Sequence, residues 1–447
     1  MIILFLNILI KAMNFIKKKF NFFIHYKDKL KKKENKTIFK NTTVLFISRA
    51  ITSLLTVLTF FILAKILGDK GVGLIFGVLS LVLLIYPFSD FGYSQIVVRE
   101  ISREPSNSRY ILSKGLGFTI LSSFLFFGLV ILISLWIKNF SLLIVFIMGI
   151  SYLFFHGIIR LFVTAFQGFD KLEVWAWMEI ADNIIRLIFT IIFLLFKKLN
   201  IFTASYTYLI SSFLCFIIVS LYARKFFGEI EFRLSLISKK EFIESNHFSI
   251  NFLGESIFFN MDKVILSRFS TLSNVGIYTV AQKVYSIFIN MLAAFLMTTY
   301  PWFFRYGKKE KSKYLSFALK VNILIFLFGI ISGCFVFFFA SYIVKIIGSS
   351  FNEAIFALKF LASYPLLRGI STVLGDMMTG ADFQKERMQI TIFSAFFNVF
   401  MDILLVFKYG WRGVAFATLL SYFLILILEV IFLYKKGFFK KEVTNEK

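Results

Sequence analysis

A chain of 447 residues with 58% hydrophobic and only 17% charged residues cannot cover a soluble surface, which takes roughly 25% charged residues. Its net charge of +25 would suit nucleic acid in a soluble protein, but in so apolar a chain Lys and Arg mark loops facing an anionic leaflet, so no nucleic-acid partner is expected. The apolar runs are about 20 residues long and unbroken, so the lipid bilayer is crossed by helices and not by the shorter alternating strands of a barrel.

In chain order, residues 1–10 are apolar but too short to span, and the charges follow them where a signal peptide carries charges first. They read either as an interfacial hook or as residues upstream of a true start at Met13. Residues 1–40 as a whole form a basic cytoplasmic tail. About twelve spans follow, at roughly 41–67, 72–93, 115–137, 140–166, 176–196, 201–223, 248–268, 274–304, 315–339, 352–378, 389–407 and 412–434. Residues 41–223 form a first lobe, 224–247 a cytoplasmic linker, 248–434 a second lobe and 435–447 a cytoplasmic tail. Arg99 to Lys114, with Pro105, reads as a solvated connector.

Orientation follows from the cations. Alternate loops collect the N-terminal lysines, Arg99, Arg103, Arg109, Lys114, Lys171, Arg224, Lys225, Lys239, Lys240, Arg305, Lys308, Lys309, Lys385 and Arg387. The others hold Lys70, Lys138, Lys197, Lys198, Lys345, Lys408 and Arg412. Both termini are therefore expected in the cytoplasm, in a multi-pass protein of the cell membrane. The two halves also echo each other. Ile62-Leu63-Ala64-Lys65 with Val72-Gly73-Leu74-Ile75 returns as Ile265-Leu266-Ser267-Arg268 with Val275-Gly276-Ile277-Tyr278, and Gly168-Phe169-Asp170 has a looser echo in Gly380-Ala381-Asp382. Six spans per half bring both halves in with the same direction, a parallel repeat of the kind found in secondary transporters.

Basic residues remain inside the spans: Arg49, Lys65, Arg160, Arg186, Lys263, Arg268, Lys283, Lys320, Lys359 and Arg368. Each costs about 2.5–3.5 kcal/mol near the bilayer centre, so several together imply a polar interior. Lys65, Arg268 and Lys320 lie near span ends and snorkel. Arg49, Arg186, Lys283 and Arg368 lie deeper and are the candidates for a cationic cavity, against pairing with carboxylates in the bundle. Partners exist in Glu179, Asp182, Glu255, Asp262, Asp376, Asp402 and Glu429, and Asp182 with Arg186 has i,i+4 spacing. Asp182, Glu255, Asp376 and Asp402 are the candidates for coupling to Na+ or H+; no bound cofactor is expected. Cations in the interior suit an anionic substrate, and Arg suits phosphate because its planar fork donates two hydrogen bonds at once. Trp175, Trp177, Trp302 and Trp411 fall near span ends, as an aromatic belt does.

Other chemistry is missing. Cys215 and Cys334 lie inside spans, so no disulfide framework is indicated, and His25, His156 and His247 are too scattered for a metal site. There is no GxxxxGK[ST] run, no Ser/His/Asp constellation and no large outer loop for an active site, so the chain is not expected to be an enzyme.

The stretches Lys65-Ile66-Leu67-Gly68 to Gly73, Asp90-Phe91-Gly92 to Val98-Arg99-Glu100, Phe166-Gln167-Gly168-Phe169-Asp170-Lys171, and Asn260-Met261-Asp262-Lys263-Val264-Ile265-Leu266 with Val275-Gly276-Ile277-Tyr278 resemble the polysaccharide-unit flippases of the O-antigen and capsule type. These belong to the multidrug/oligosaccharidyl-lipid/polysaccharide exporter (MOP) superfamily. The family commonly has Arg at the position of Lys65. The resemblance implies an all-α membrane protein of two six-helix lobes, with the MATE-like V shape around a central cavity that alternates in access. It implies a polyprenyl-diphosphate-linked oligosaccharide as substrate, moved from the cytoplasmic to the outer leaflet for polysaccharide biosynthesis. Glycosyltransferases or a polymerase of the same pathway are the candidate protein partners. Gly68, Gly73 and Gly168 are read as turn formers.

Two other readings compete. A cation-coupled multidrug exporter of the same superfamily would want a carboxylate-rich cavity, and a membrane-embedded polymerase would want a large outer loop. The orientation is tested by reporter fusions: one after residue 70 should read outside and one after residue 239 cytoplasmic, and the reverse would overturn it.

Overall fold

The computed structural model describes residues 32–232, 237–307 and 311–438. The start-site alternatives, most of the N-terminal tail, Lys308, Lys309 and the last C-terminal residues lie outside them. The chain divides into residues 1–44 and residues 45–447. Of the first unit, the described residues form only the beginning of a helix; the packed architecture belongs to the second.

The described residues are almost wholly helical, with no strand among them. They form α1 (Lys32–Ile85), α2 (Tyr93–Arg103), α3 (Ser108–Trp136), α4 (Leu142–Gly149), α5 (Gly157–Gly168), α6 (Leu172–Leu195), α7 (Ile201–Phe227), α8 (Lys239–Ser256), α9 (Asp262–Phe269), α10 (Leu272–Gly307), α11 (Lys311–Ile347), α12 (Asn352–Phe360), α13 (Tyr364–Gly380), α14 (Gln384–Tyr409) and α15 (Trp411–Lys435). Among the described residues, 9 helical stretches are long and apolar enough to cross a membrane. One is Val44–Phe88, about twice the length a bilayer needs. It bends at Gly68, whose φ of 68° only glycine adopts freely, so α1 has two arms where two spans are predicted. The predicted spans at 176–196 and 248–268 are helical as well but carry too many charges to meet that criterion. Lipid-facing apolar side chains stand out on α3 (Phe124, Leu125, Leu132), α11 (Ile331, Phe338, Tyr342) and α14 (Phe400, Phe407), as helices solvated by acyl chains require.

Two spans are interrupted by π-helical turns, Ile150–His156 between α4 and α5 and Ile257–Met261 between α8 and α9. An extra residue in a turn rotates the remainder of the span about its axis, and such turns often mark functional positions. Here each one hands the chain to a polar cluster: His156 ends the first and Asp262 follows the second.

The repeated glycines turn out to be a crossing point. A Cβ on Gly73 would overlap the carbonyl of Leu272, and a Cβ on Gly276 would overlap the carbonyl of Asp69. Leu272 lies four residues before Gly276, as Asp69 lies four before Gly73, so the contact is reciprocal. The Ser273 hydroxyl donates to the Asp69 carboxylate across the same crossing. The repeat motif thus joins the first half of the chain to the second, rather than only shaping a hairpin within each. The looser echo also has a backbone basis. Asp170 and Asp382 both have positive φ (60° and 68°), and each is followed by a residue whose N–H closes back on the helix, Lys171 on Phe166 and Phe383 on Met378.

The predicted connector is exposed over 102–107 and at Arg109 and Tyr110, as a solvated segment is, while its two ends and part of the linker pack against neighbouring helices. Tyr93, Ile96, Val97 and Ile101 recur at helical spacing on α2 and are buried. Asp90 caps that helix by accepting from the N–H groups of Gly92 and Ser94, and Gly92, in the left-handed region, lies against the Ser245 carbonyl of α8. The charges are paired: Arg99 with Glu244 at 2.9 Å, Lys114 with Glu241 at 2.7 Å, and Arg109 with Glu231 at 3.2 Å. Burial alone would raise the Glu241 carboxyl, but bonds from Lys114 and Ser238 outweigh it and hold the group below its usual range. The linker is therefore helical from Lys239, where Ser238 and Glu241 form a capping box, and not only from 248.

Gly73→Ala and Gly276→Ala test the crossing. Alanine gains about 1 kcal/mol of helix propensity, while overpacking against a rigid carbonyl costs about 1–3 kcal/mol, so overpacking should win. Each variant should melt below the wild type in detergent; an unchanged or higher Tm would mean the helices do not cross there.

Candidate functional site

The interior charges resolve into several clusters. On α6, Arg186 is 7% exposed and donates to Asp182 one turn earlier, the pair their spacing predicts. The guanidinium lies over the Tyr208 ring of α7, 4.2 Å from its centroid, and its Nε has no hydrogen-bond partner among the described residues. Asp182 Oδ1 faces His156 Nε2 at 3.7 Å. Lys283 on α10 is under the electrostatic influence of Arg186, and it lies over the Phe76 ring of α1. Lys263 on α9 is in turn within the field of Lys283, and it is held by the Phe259 carbonyl at 2.6 Å and by Gln282. Interior basic side chains thus stand on α6, in the first half of the chain, and on α10 and α9 in the second.

The other two cavity candidates stand apart. Arg49 on α1 donates to Met297 Sδ at 3.1 Å, and its charge acts on Glu179. Arg368 on α13 donates to the Tyr364 hydroxyl at 3.2 Å and lies over the Phe259 ring at 4.1 Å, with Glu255 as the carboxylate acting on it. The structure thus brings Arg186 and Lys283 together and leaves Arg49 and Arg368 in settings of their own, each with an acidic neighbour.

The coupling candidates separate as sharply. Asp182 is paired with Arg186. Asp376 accepts from Arg387 at 3.0 Å, and Arg387 also bonds Thr379 at 2.8 Å, which makes this an ion pair near the span end. Glu255 is exposed. Asp402 is 0% exposed, and neither of its oxygens has a hydrogen-bond partner among the described residues. The charge of the equally buried Asp262 acts on it. Asp262 accepts from the hydroxyls of Tyr278 and Thr418, leaving its Oδ1 open. Asn398, one turn before Asp402, is also buried with both side-chain atoms unpartnered. Two carboxylates in that setting demand a proton or a cation between them, because an uncompensated buried charge is far too costly.

Three features escape a reading of the sequence. Asp262 reads as one of an adjacent charge pair, and only the fold turns it toward α14 and α15. His156 reads as a stray histidine, with its place in a span as the one available signal. Trp411 reads as a belt residue but is 2% exposed and donates to Glu353 at 3.0 Å, because the turn at Gly410 folds it into the bundle. The snorkelling expectation fits Lys65 and Lys320, which are exposed, while Arg268 instead packs on the Trp136 ring at 4.4 Å. Two apolar grooves of about 350 and 270 Å³, along α11 and α13, hold none of these charges.

Known proteins place these observations. The chain is 24% identical over 401 residues to an uncharacterized membrane protein of Methanocaldococcus jannaschii, MJ1068, covering 81% of this chain and 77% of that one. It is 24% identical over 191 residues to a probable low-salt glycan biosynthesis flippase of Haloferax volcanii, Agl15, covering 42% of this chain and 40% of the relative. Among solved structures it is similar to an inward-facing MATE transporter of the MOP superfamily (TM-score 0.63, 15% identity, 90% of this chain and 96% of the other). It is similar too to a MOP-superfamily transporter from Pyrococcus furiosus described by the reverse polarity of its binding pocket (TM-score 0.58, 15% identity, 89% and 96%). The fold is that of the MATE transporters, and since residues 38–307 match the polysaccharide biosynthesis protein family, this membrane protein belongs to that family.

Proposed function

We propose that the protein flips a polyprenyl-diphosphate-linked oligosaccharide from the cytoplasmic to the outer leaflet by alternating access, as a transporter and not an enzyme. The observation that carries this reading is Arg186, a guanidinium 7% exposed whose Nε has no hydrogen-bond partner among the described residues, with the basic side chains of Lys283 and Lys263 on the other half of the chain. A diphosphate is the part of such a substrate that the bilayer opposes most, and fixed cations in the path stand in for the water it leaves behind. The family and the printed name of the Haloferax relative support the glycan. Twelve spans in two parallel lobes, 41–223 and 248–434, with both termini in the cytoplasm of a cell-membrane protein, complete the reading, along with glycosyltransferases or a polymerase as partners.

Coupling to Na+ or H+ fits best at Asp402 with Asp262, since both Asp402 oxygens and Asp262 Oδ1 are buried with no hydrogen-bond partner among the described residues. That same pair is the feature a cation-coupled multidrug exporter would share. The cations nearer Arg186 argue against a positively charged drug as the cargo.

Arg186→Ala and Arg368→Ala should each remove most surface glycan, by tenfold or more, while the protein still inserts. Normal glycan in both would overturn the cavity assignment. Asp402→Asn should leave binding of the lipid-linked glycan intact and abolish the dependence of its transport on a Na+ or H+ gradient; a retained gradient dependence would place the coupling elsewhere.

A further inference from the structure

His156 has no role in the flippase reading, yet its surroundings are specific. It ends the π-helical turn Ile150–His156, its side chain is 19% exposed, and its ring stacks on Tyr152 at 4.8 Å. Its Nε2 and Asp182 Oδ1 face each other at 3.7 Å, and among the described residues neither atom has a hydrogen-bond partner. That gap is too long for a hydrogen bond, and closing it takes a shift of only about 1 Å. Meanwhile the other oxygen of Asp182 holds Arg186. The carboxylate thus lies between two cationic partners, one engaged and one in waiting.

Among the described residues, the charges acting on the imidazole are those of Asp182 and Arg186, both on α6. From α7, Tyr208 and Cys215 border that same pair. The Tyr86 hydroxyl, from the turn before α2, donates to the His156 carbonyl at 3.2 Å and leaves the ring free. From α3, the Thr119 methyl lies against Gly157, Ser123 donates to the Leu153 carbonyl, and Phe124 and Phe127 meet Phe154, none of them charged. Arg160, one turn along the same span, is engaged with Asp90 at 3.8 Å.

We propose that His156 is the partner to which Asp182 turns when a phosphate takes Arg186, so that anion binding in the cavity draws one proton onto the imidazole. The proposal rests on the anionic-substrate reading. In the empty site Arg186 and Asp182 neutralise each other and His156 is neutral. A phosphate oxygen then replaces Asp182 on the guanidinium, whose open Nε offers it a second donor. The displaced carboxylate, which cannot remain unpaired in a buried site, swings to Nε2, and the ring takes a proton supplied by the buffered bulk solvent through the water that enters with the ligand. The anion, Arg186, Asp182 and imidazolium then sum to one negative charge fewer than the phosphate would bring alone. Linkage makes the effect reciprocal: acidification, by charging His156, frees Arg186 for the anion.

The test uses the full-length protein in detergent and a short-chain P1,P2-dialkyl diphosphate. A diester is chosen because a free phosphate monoester titrates near pH 6, about where histidine does. Calorimetry in two buffers of different protonation enthalpy reads proton uptake. The wild type should take up close to one proton per ligand, with affinity rising toward about tenfold per pH unit as pH falls, the limit for one linked proton. His156→Gln should bind the ligand at every pH with the affinity that the wild type shows at high pH, and take up no proton. Asp182→Asn removes the competitor for Arg186, so it should bind more tightly than the wild type with a flat pH profile, which serves as an independent arm should the glutamine variant fail to fold. Wild-type binding without proton uptake, or full uptake in the His156 variant, would overturn the proposal. A folded wild type that binds no diphosphate would instead overturn the anionic-substrate reading itself.

Discussion

A charge kept inside a bilayer must be answered by another group, since the surrounding acyl chains offer no solvation, and most of this protein's interior organisation follows from that demand. Arg186 is answered by Asp182, Arg160 by Asp90, and Arg387 by Asp376. Arg368 finds the Tyr364 hydroxyl and the face of Phe259. Each answer fixes the rotation of a helix about its own axis, because a helix turned by one residue would present its charge to lipid. Specificity of packing is thus set largely by polar groups, in a solvent where apolar side chains gain little by leaving lipid for protein.

The helices can approach closely enough for these pairs to form only where small residues allow it. At the crossing of Gly73 and Gly276 the two helices meet with no side chain between them, and the Asp69–Ser273 bond ties them there. A little further along the same two helices, Phe76 of α1 receives Lys283 of α10. The glycine contact and the placing of Lys283 are therefore one construction: the crossing sets the distance between α1 and α10, and that distance lays Lys283 over the Phe76 ring.

Much of this was legible in the sequence because hydrophobic length and cation asymmetry are coarse signals that survive without coordinates. The Asp182–Arg186 pair was readable from i,i+4 spacing alone. The glycine repeat was visible as well, but as a hairpin signature, since nothing in Val72-Gly73 says that its neighbour is Val275-Gly276. The connector from Arg99 to Lys114 is solvated through its middle, as its dense charges suggest; the partners of its two end residues, Glu244 and Glu241, lie more than a hundred residues away and could not be paired by spacing. The π-helical turns were not legible at all. They leave no compositional trace, yet the polar clusters at His156 and at Asp262 lie beside them.

The two polar clusters differ in what they lack. At Arg186 a cation and an acid neutralise each other, so an incoming anion has to compete; at Asp402 two acids face each other, so the site is incomplete without a proton or a cation. The helix common to them is α10. Its Tyr278 donates to Asp262, its Gln282 binds Lys263 beside that acid, and Lys283 follows directly, under the field of Arg186. On the proposed reading, a change in the charge of the acid pair would alter the pull on Tyr278 and Lys263, and an anion at Arg186 would act on α10 through Lys283. Coupling between the two clusters then requires no long chain of contacts, only that one helix, held at Gly276 against the other half of the chain, responds to both.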